Sequence, residues 1–225
     1  MTLRDRPSLL AVYRTLDTMH AWRGWHWWPD GEPFEVAVGA ILVQNTSWTN
    51  VERALDQLRT ANVLHPARMA ALTQPELEEL VRPSGQYRQK ARKLREFLVL
   101  IERFGTLHAL LALPVQELRA ELLATWGIGP ETADAIVLYA ARQPAFVIDA
   151  YTQRLFGRLD IGPVATSDYR AWQRFFVGLL PADRELWARY HALIVMHNKH
   201  LCLKNRPRCG DCLLATSCPA SAGIS

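Results

Sequence analysis

Lysine is scarce in this chain of 225 residues: of 26 basic side chains only four are lysines, Lys90, Lys93, Lys199 and Lys204. Chemistry that needs an amine nucleophile therefore has few candidates, and the rest of the positive charge is arginine. No apolar run approaches the roughly 20 residues that span a bilayer. The opening MTLRDRPSLLAVYRTLDTMH also lacks the apolar stretch and small-residue cleavage site of a secretory leader. These absences argue against a membrane protein and predict one that stays in the cytoplasm. Sustained period-two alternation is missing as well, which leaves little room for a sheet. Cysteine does not occur before position 202.

What is present suits a globular protein with a sizeable core. Hydrophobic residues make up 49% of the chain, and the net charge of +4 with a pI near 9.0 permits an anionic partner without identifying one. Five of the eight tryptophans fall within the first 48 residues; taken singly, a tryptophan is most simply a packing residue. Apolar residues recur at three-and-four spacing in PSLLAVYRTLDTMHAW, from Asn50 to Leu58, Gln74 to Val81, Gln86 to Phe104 and Val115 to Leu123, each predicting an amphipathic helix. FEVAVGAILVQNT, Phe34 to Thr46, is rich in β-branched residues and is open between strand and buried helix, with helix preferred. Pro130 and Pro144 bracket a helix expected from Glu131 to Arg142, and the next starts near Asp149. Helices from Asp168 to Leu180 and from Arg184 to Leu201 complete an all-α chain of about ten helices with a loop-rich tail.

That tail, CLKNRPRCGDCLLATSC, gathers Cys202, Cys209, Cys212 and Cys218 as C-x6-C-x2-C-x5-C. Four thiolates on so short a loop can converge on zinc or on an iron–sulfur cube; disulfides or free thiols are the simpler alternative, disfavoured in a reducing compartment. One close pair and two long gaps suit a [4Fe-4S] cluster better than zinc. A second signal is GIGPETADAI, where Gly127 and Gly129 can form a tight turn and the amides opening the next helix point outward as a phosphate cradle. A G-x-G between helices is as often only a turn. The carboxylate of Glu131 at its mouth is the oddity.

Together GIGPETADAI, the downstream VIDAYTQRLFGRL and the cysteine loop resemble the helix-hairpin-helix DNA glycosylases of the endonuclease III family, in order and over nearly the whole chain. The resemblance implies a two-lobed all-α fold. Residues 24–140 would form a central helical lobe ending in the hairpin, and residues 1–23 plus 141–225 a second lobe carrying the cluster loop at 202–218. It further implies a [4Fe-4S] cluster on Cys202, Cys209, Cys212 and Cys218, Asp149 as a catalytic carboxylate, and a nucleoid-associated, bacterial-type monomer acting on double-stranded DNA that contains a damaged base. Bifunctional members carry a lysine after the hairpin that attacks the sugar as a Schiff base. Glu131 stands at that place here, and a carboxylate forms no imine.

WWPDGEPFEVAVGAILVQNTSWTNVERAL, VRPSGQYRQKARKL and GIGPETADAIVLYA look more like the 3-methyladenine glycosylases of this superfamily, in which a glutamate also replaces the lysine. By position, Trp27, Trp28, Trp48, Glu131 and Lys199 would line the base pocket. The best-known member of that branch lacks the cysteines, so this chain combines its pocket with the endonuclease III cluster loop. The backbone around Gly127, Gly129 and Thr132 would bind a phosphate. Gln44 and Gln86 would enter the duplex where the base has left, Gln86 at the wedge position, and Lys204, Arg206 and Arg208 would contact the DNA backbone. The reading is a monofunctional glycosylase for alkylated purines. Its alternatives are a bifunctional glycosylase and lyase for oxidised pyrimidines, with another amine in the lysine's role, and a non-catalytic binder of DNA damage.

Overall fold

A computed structural model of the chain describes residues 7–20, 31–163 and 168–223, and every regular element among them is helical. Trp27 and Trp28 lie outside the described residues. None of the described helices is long and apolar enough to cross a membrane. The chain divides into two compact units, Trp28–Ala145 on the one hand and Phe146–Ser225 with Met1–Trp27 on the other. Helices are numbered along the chain; α1 (Leu9–His20) belongs with the C-terminal helices.

The internal unit holds α2 (Pro33–Leu42), α3 (Trp48–Thr60), α4 (Pro66–Ala70), α5 (Gln74–Val81), α6 (Tyr87–Arg103), α7 (Leu107–Leu111), α8 (Val115–Ala124) and α9 (Pro130–Ala135). Its centre is α2, where every residue from Val36 to Leu42 is buried against α6, α9 and the turn that follows α9. A helix enclosed on all sides needs no polar stripe, which is why Phe34 to Thr46 leaves helix and strand open by periodicity. α6 instead buries one stripe, Ala91, Leu94, Phe97, Leu98 and Ile101, and turns Arg88, Arg92 and Arg103 to solvent. Thr73 and Glu76 close a reciprocal capping box at the start of α5.

Three local features depart from the sequence-based expectation. Glu131 to Arg142 is not one α-helix: α9 gives way to a π turn at Ile136–Ala140, in which the amide of Ala141 reaches the carbonyl of Ile136 at 2.9 Å. Its residues are ordinary helix formers, so nothing in their type announces the wider turn. Arg142 then adopts φ 53°, and the Gln143 side chain donates to the carbonyls of Leu111 and Leu113, which fixes the exit against the end of α7. The short helices α4 and α7 carry too few turns to show a period.

The second unit contains α1, α10 (Ala150–Arg158), α11 (Tyr169–Leu179) and α12 (Arg184–His200), followed by the cysteine loop, which is built from short 3-10 turns. Phe146, Phe156, Phe176 and Tyr190 interlock as its core, with Phe146 stacked on Phe176 at 4.4 Å. The Tyr190 hydroxyl donates to the carbonyl of Leu9 and so ties α1 to α12. Asp168 and Asp183 accept first-turn amides and start α11 and α12.

Candidate functional site

In the internal unit the hairpin joins α8 to α9. Gly127 takes φ 84°, a left-handed conformation that favours glycine, and Gly129 is the N-cap of α9, ahead of Pro130. The first-turn amides of Glu131 and Thr132 have no acceptor within the helix. Glu131 is exposed beside them, where the positive end of the helix favours an anion. Trp126, just before the turn, is exposed and carries the Arg92 guanidinium over its ring at 3.9 Å.

Gln44, in the loop between α2 and α3, reaches this hairpin. Its amide nitrogen donates to the carbonyl of Gly127 at 3.2 Å and to the buried Thr132 hydroxyl at 3.0 Å, while its oxygen accepts from the amine of Lys93. Burial lowers the Lys93 pKa. One turn earlier on α6, Lys90 is fully buried and donates to the carbonyl of Ser84; burial, followed by the charge of Lys93, brings its pKa down to about 8. That bond secures the turn before Gln86, which is exposed and left-handed at φ 45°. Trp48 opens α3 half-buried, with its indole N–H donating to Glu52 at 2.9 Å.

In the second unit Asp149 is the N-cap of α10. Its Oδ1 accepts the Thr152 amide at 2.7 Å and the Thr152 hydroxyl at 2.8 Å, and its Oδ2 lies 3.4 Å from His191 Nε2 on α12. Burial alone would raise the Asp149 pKa; His191, 3.4 Å away, and the two bonds from Thr152 outweigh it and hold the carboxyl below the usual aspartate range. The result is an oriented carboxylate that stays ionised. Lys199 is exposed in the last turn of α12.

Cys202, Cys209, Cys212 and Cys218 are all half-buried and line one small cavity with Leu155, Leu159, Leu201 and Leu214. Arg158 spans the loop, donating to Cys202 Sγ at 3.1 Å and to the carbonyls of Cys202, Leu203 and Lys204. His197 Nε2 stands 3.7 Å from Cys212 Sγ, and its Nδ1 is 3.1 Å from His20 Nε2. Burial, and then the other three cysteines, push the Cys212 thiol up, so the four sulfurs are electrostatic neighbours. Among the described residues no group of three or more ligating side chains is gathered closely enough to hold a single metal ion. Four soft donors around one apolar cavity nevertheless have the chemistry of a thiolate-held cluster site. Lys204, Arg206 and Arg208 are exposed on this loop, Arg206 at φ 54° and Arg208 paired with Asp211 at 2.6 Å.

Lys93, Thr152, His191, His197 and Arg158 emerge as site residues from the structure. Thr152 had a signal, since a hydroxyl three residues after an N-cap aspartate can return a bond to it. Lys93 and the histidines act across long sequence separations and had none.

Residues 38–175 match the family model of the HhH-GPD superfamily base excision DNA repair proteins. A Methanocaldococcus jannaschii protein named as a candidate DNA repair glycosylase, MJ1434, is 40% identical over 86% of this chain and 88% of its own. Endonuclease III of Thermotoga maritima is 30% identical over 83% of each chain. Among solved structures, the H. pylori 3-methyladenine DNA glycosylase MagIII bound to 1,N6-ethenoadenine superposes with a TM-score of 0.76 at 28% identity, over 86% of this chain and 98% of that one. A non-covalent endonuclease III–DNA complex gives 0.79 at 21% identity, over 94% of each chain, a likeness of fold.

Proposed function

The chain belongs to the HhH-GPD superfamily of base excision DNA repair proteins and is a DNA glycosylase, and we propose that it excises alkylated purines such as 3-methyladenine from duplex DNA by hydrolysis, without cutting the strand. The observation that carries this reading is Glu131, exposed in the first turn of α9, in a hairpin that contains no lysine. An amine there would form an imine with the sugar and open the strand by elimination; a carboxylate cannot.

The remaining residues have roles that suit a weak demand on catalysis. An N3- or N7-alkylated purine carries positive charge, so an aromatic face attracts it by ~1–2 kcal/mol of cation–π energy, the part proposed for Trp27, Trp28 and Trp48, and Lys199 is proposed as a further base contact. Extrusion of the base costs unstacking energy, offset where Gln44 and Gln86 take its place. As the C1′–N bond breaks, the electron pair leaves with the base and neutralises it. Asp149, ionised and fixed by Thr152, stabilises the cationic sugar and accepts the proton of the attacking water. Glu131 orients that water or meets the base. The hairpin backbone at Gly127, Gly129 and Thr132 grips a phosphate, and Lys204, Arg206 and Arg208 add screened backbone contacts.

Cys202, Cys209, Cys212 and Cys218 would hold a [4Fe-4S] cluster, which supplies a covalent staple for the loop and no step of the hydrolysis. The test is a panel of duplexes carrying 3-methyladenine, 7-methylguanine, hypoxanthine, a mismatched thymine or an oxidised pyrimidine. Release of 3-methyladenine with the strand intact is expected. Preferential release of oxidised pyrimidines with strand scission would replace this reading by the bifunctional one.

A further inference from the structure

Gln44 is heavily committed to the hairpin. Of its four hydrogen-bonding positions, both N–H groups are spent on the hairpin, on Gly127 O and Thr132 Oγ1, and one oxygen lone pair on the Lys93 amine. We propose that Lys93 is a positioning residue for DNA recognition: it fixes Gln44 against the hairpin, so that the loop entering the duplex and the phosphate cradle meet DNA as one preorganised unit. This rests on the reading of Gln44 as the residue that fills the gap left by the extruded base.

Three observations support it. The first is orientation. A glutamine amide can be turned either way, and an ammonium on its oxygen forces the N–H groups toward Gly127 and Thr132, which offer acceptors there. A neutral side chain at position 93 would leave that choice open.

The second is space. Lys93 passes directly beneath Gly127: a Cβ on that glycine would lie 2.4 Å from Lys93 Cγ and 3.0 Å from Cδ and Cε. The glycine therefore serves the hairpin twice, by its left-handed φ of 84° and by the room that lets the lysine stem reach Gln44. The third is cost. Lys93 and Lys90 lie one turn apart on α6 and both titrate low, because burial disfavours their charge. Lys90 spends its amine on Ser84, in the loop that leads to Gln86. Two of the chain's four lysines thus brace the two loops proposed to enter the duplex.

The test is a double-mutant cycle on the protein as purified, without truncation. Binding is measured to a duplex with a tetrahydrofuran abasic analogue and to the same duplex undamaged, for wild type, Gln44→Ala, Lys93→Met, Lys93→Arg and the double variant Gln44→Ala/Lys93→Met. Each single change to Ala or Met is expected to lower the abasic-over-undamaged preference about tenfold, the loss of one charge-assisted hydrogen bond. The double variant should lose no more than either single, and Lys93→Arg should recover part of the preference. A lysine that only supports the fold would lower both affinities together and leave the ratio unmoved.

Additive losses in the double variant, or an unchanged ratio in Lys93→Met, would overturn the positioning role while leaving the glycosylase assignment intact. An unchanged ratio in Gln44→Ala would instead remove the gap-filling reading, and this inference with it. A borohydride-trapped adduct mapped to Lys93 would show it to be a nucleophile, contradicting both.

Discussion

At the scale of single residues two carboxylates stand in different surroundings. Asp149 is half-buried and fixed by three contacts, whereas Glu131 is exposed at a helix start. Asp149→Asn keeps the shape and the Thr152 contacts but loses the charge; single-turnover release of 3-methyladenine should fall by at least about a hundredfold while affinity for abasic DNA is retained. The pH dependence follows from the direction of the shift. The folded pKa of Asp149 lies below its unfolded value, so its stabilising contribution is complete above roughly pH 4 and is lost as pH falls through the folded value. The acid limb of the excision rate should therefore lie below the ordinary aspartate range. His191→Gln, which removes the strongest of the favourable partners, should move that limb upward. A limb that stays in place would deny His191 its role.

At the scale of elements, the hairpin depends on one glycine more than on the other. A side chain on Gly129 meets nothing within 4 Å, while one on Gly127 is both left-handed and driven into Lys93. Gly127→Ala should cost about 1–2 kcal/mol of stability and weaken duplex binding, with Gly129→Ala much milder on both measures in thermal melts and titrations.

How far such elements could be read in advance depends on their environment. α6 is legible because it buries one stripe and carries many turns, and α12 by its length, although Tyr190 to Asn198 is buried on every side. α2 is ambiguous because burial on all sides erases the stripe, and the π turn at Ile136–Ala140 is invisible because nothing in the type of its residues announces it. The candidate site is legible where a motif fixes local geometry, as in the left-handed Gly127, the N-cap Asp149 and the four cysteines around one cavity. Lys93, His191 and His197 were missed because their partners are 49, 42 and 15 residues away.

At the scale of the whole molecule the fold is that of a DNA glycosylase of this superfamily, and its cysteine loop is tied to α10. Arg158 ties α10 to Cys202, Leu203 and Lys204, so the loop holds α10, the helix that Asp149 caps. Purified protein should be brown and contain iron and sulfide. Cys212→Ser, or stripping of iron, should bleach it, lower its melting temperature and weaken DNA binding through Lys204, Arg206 and Arg208, most visibly at low salt. A colourless protein with one bound zinc would keep the staple and discard the cluster.

The question that separates this chain from a lyase is whether a covalent bond to DNA ever forms. The direct measurement is a single-turnover reaction on 3-methyladenine-containing duplex with borohydride present, followed by analysis of free base, strand and protein. Release of the base, an unbroken strand that cleaves only in alkali, and no protein–DNA adduct is the expected result. A trapped adduct with strand scission at matching rate, lost on changing one lysine, would contradict it.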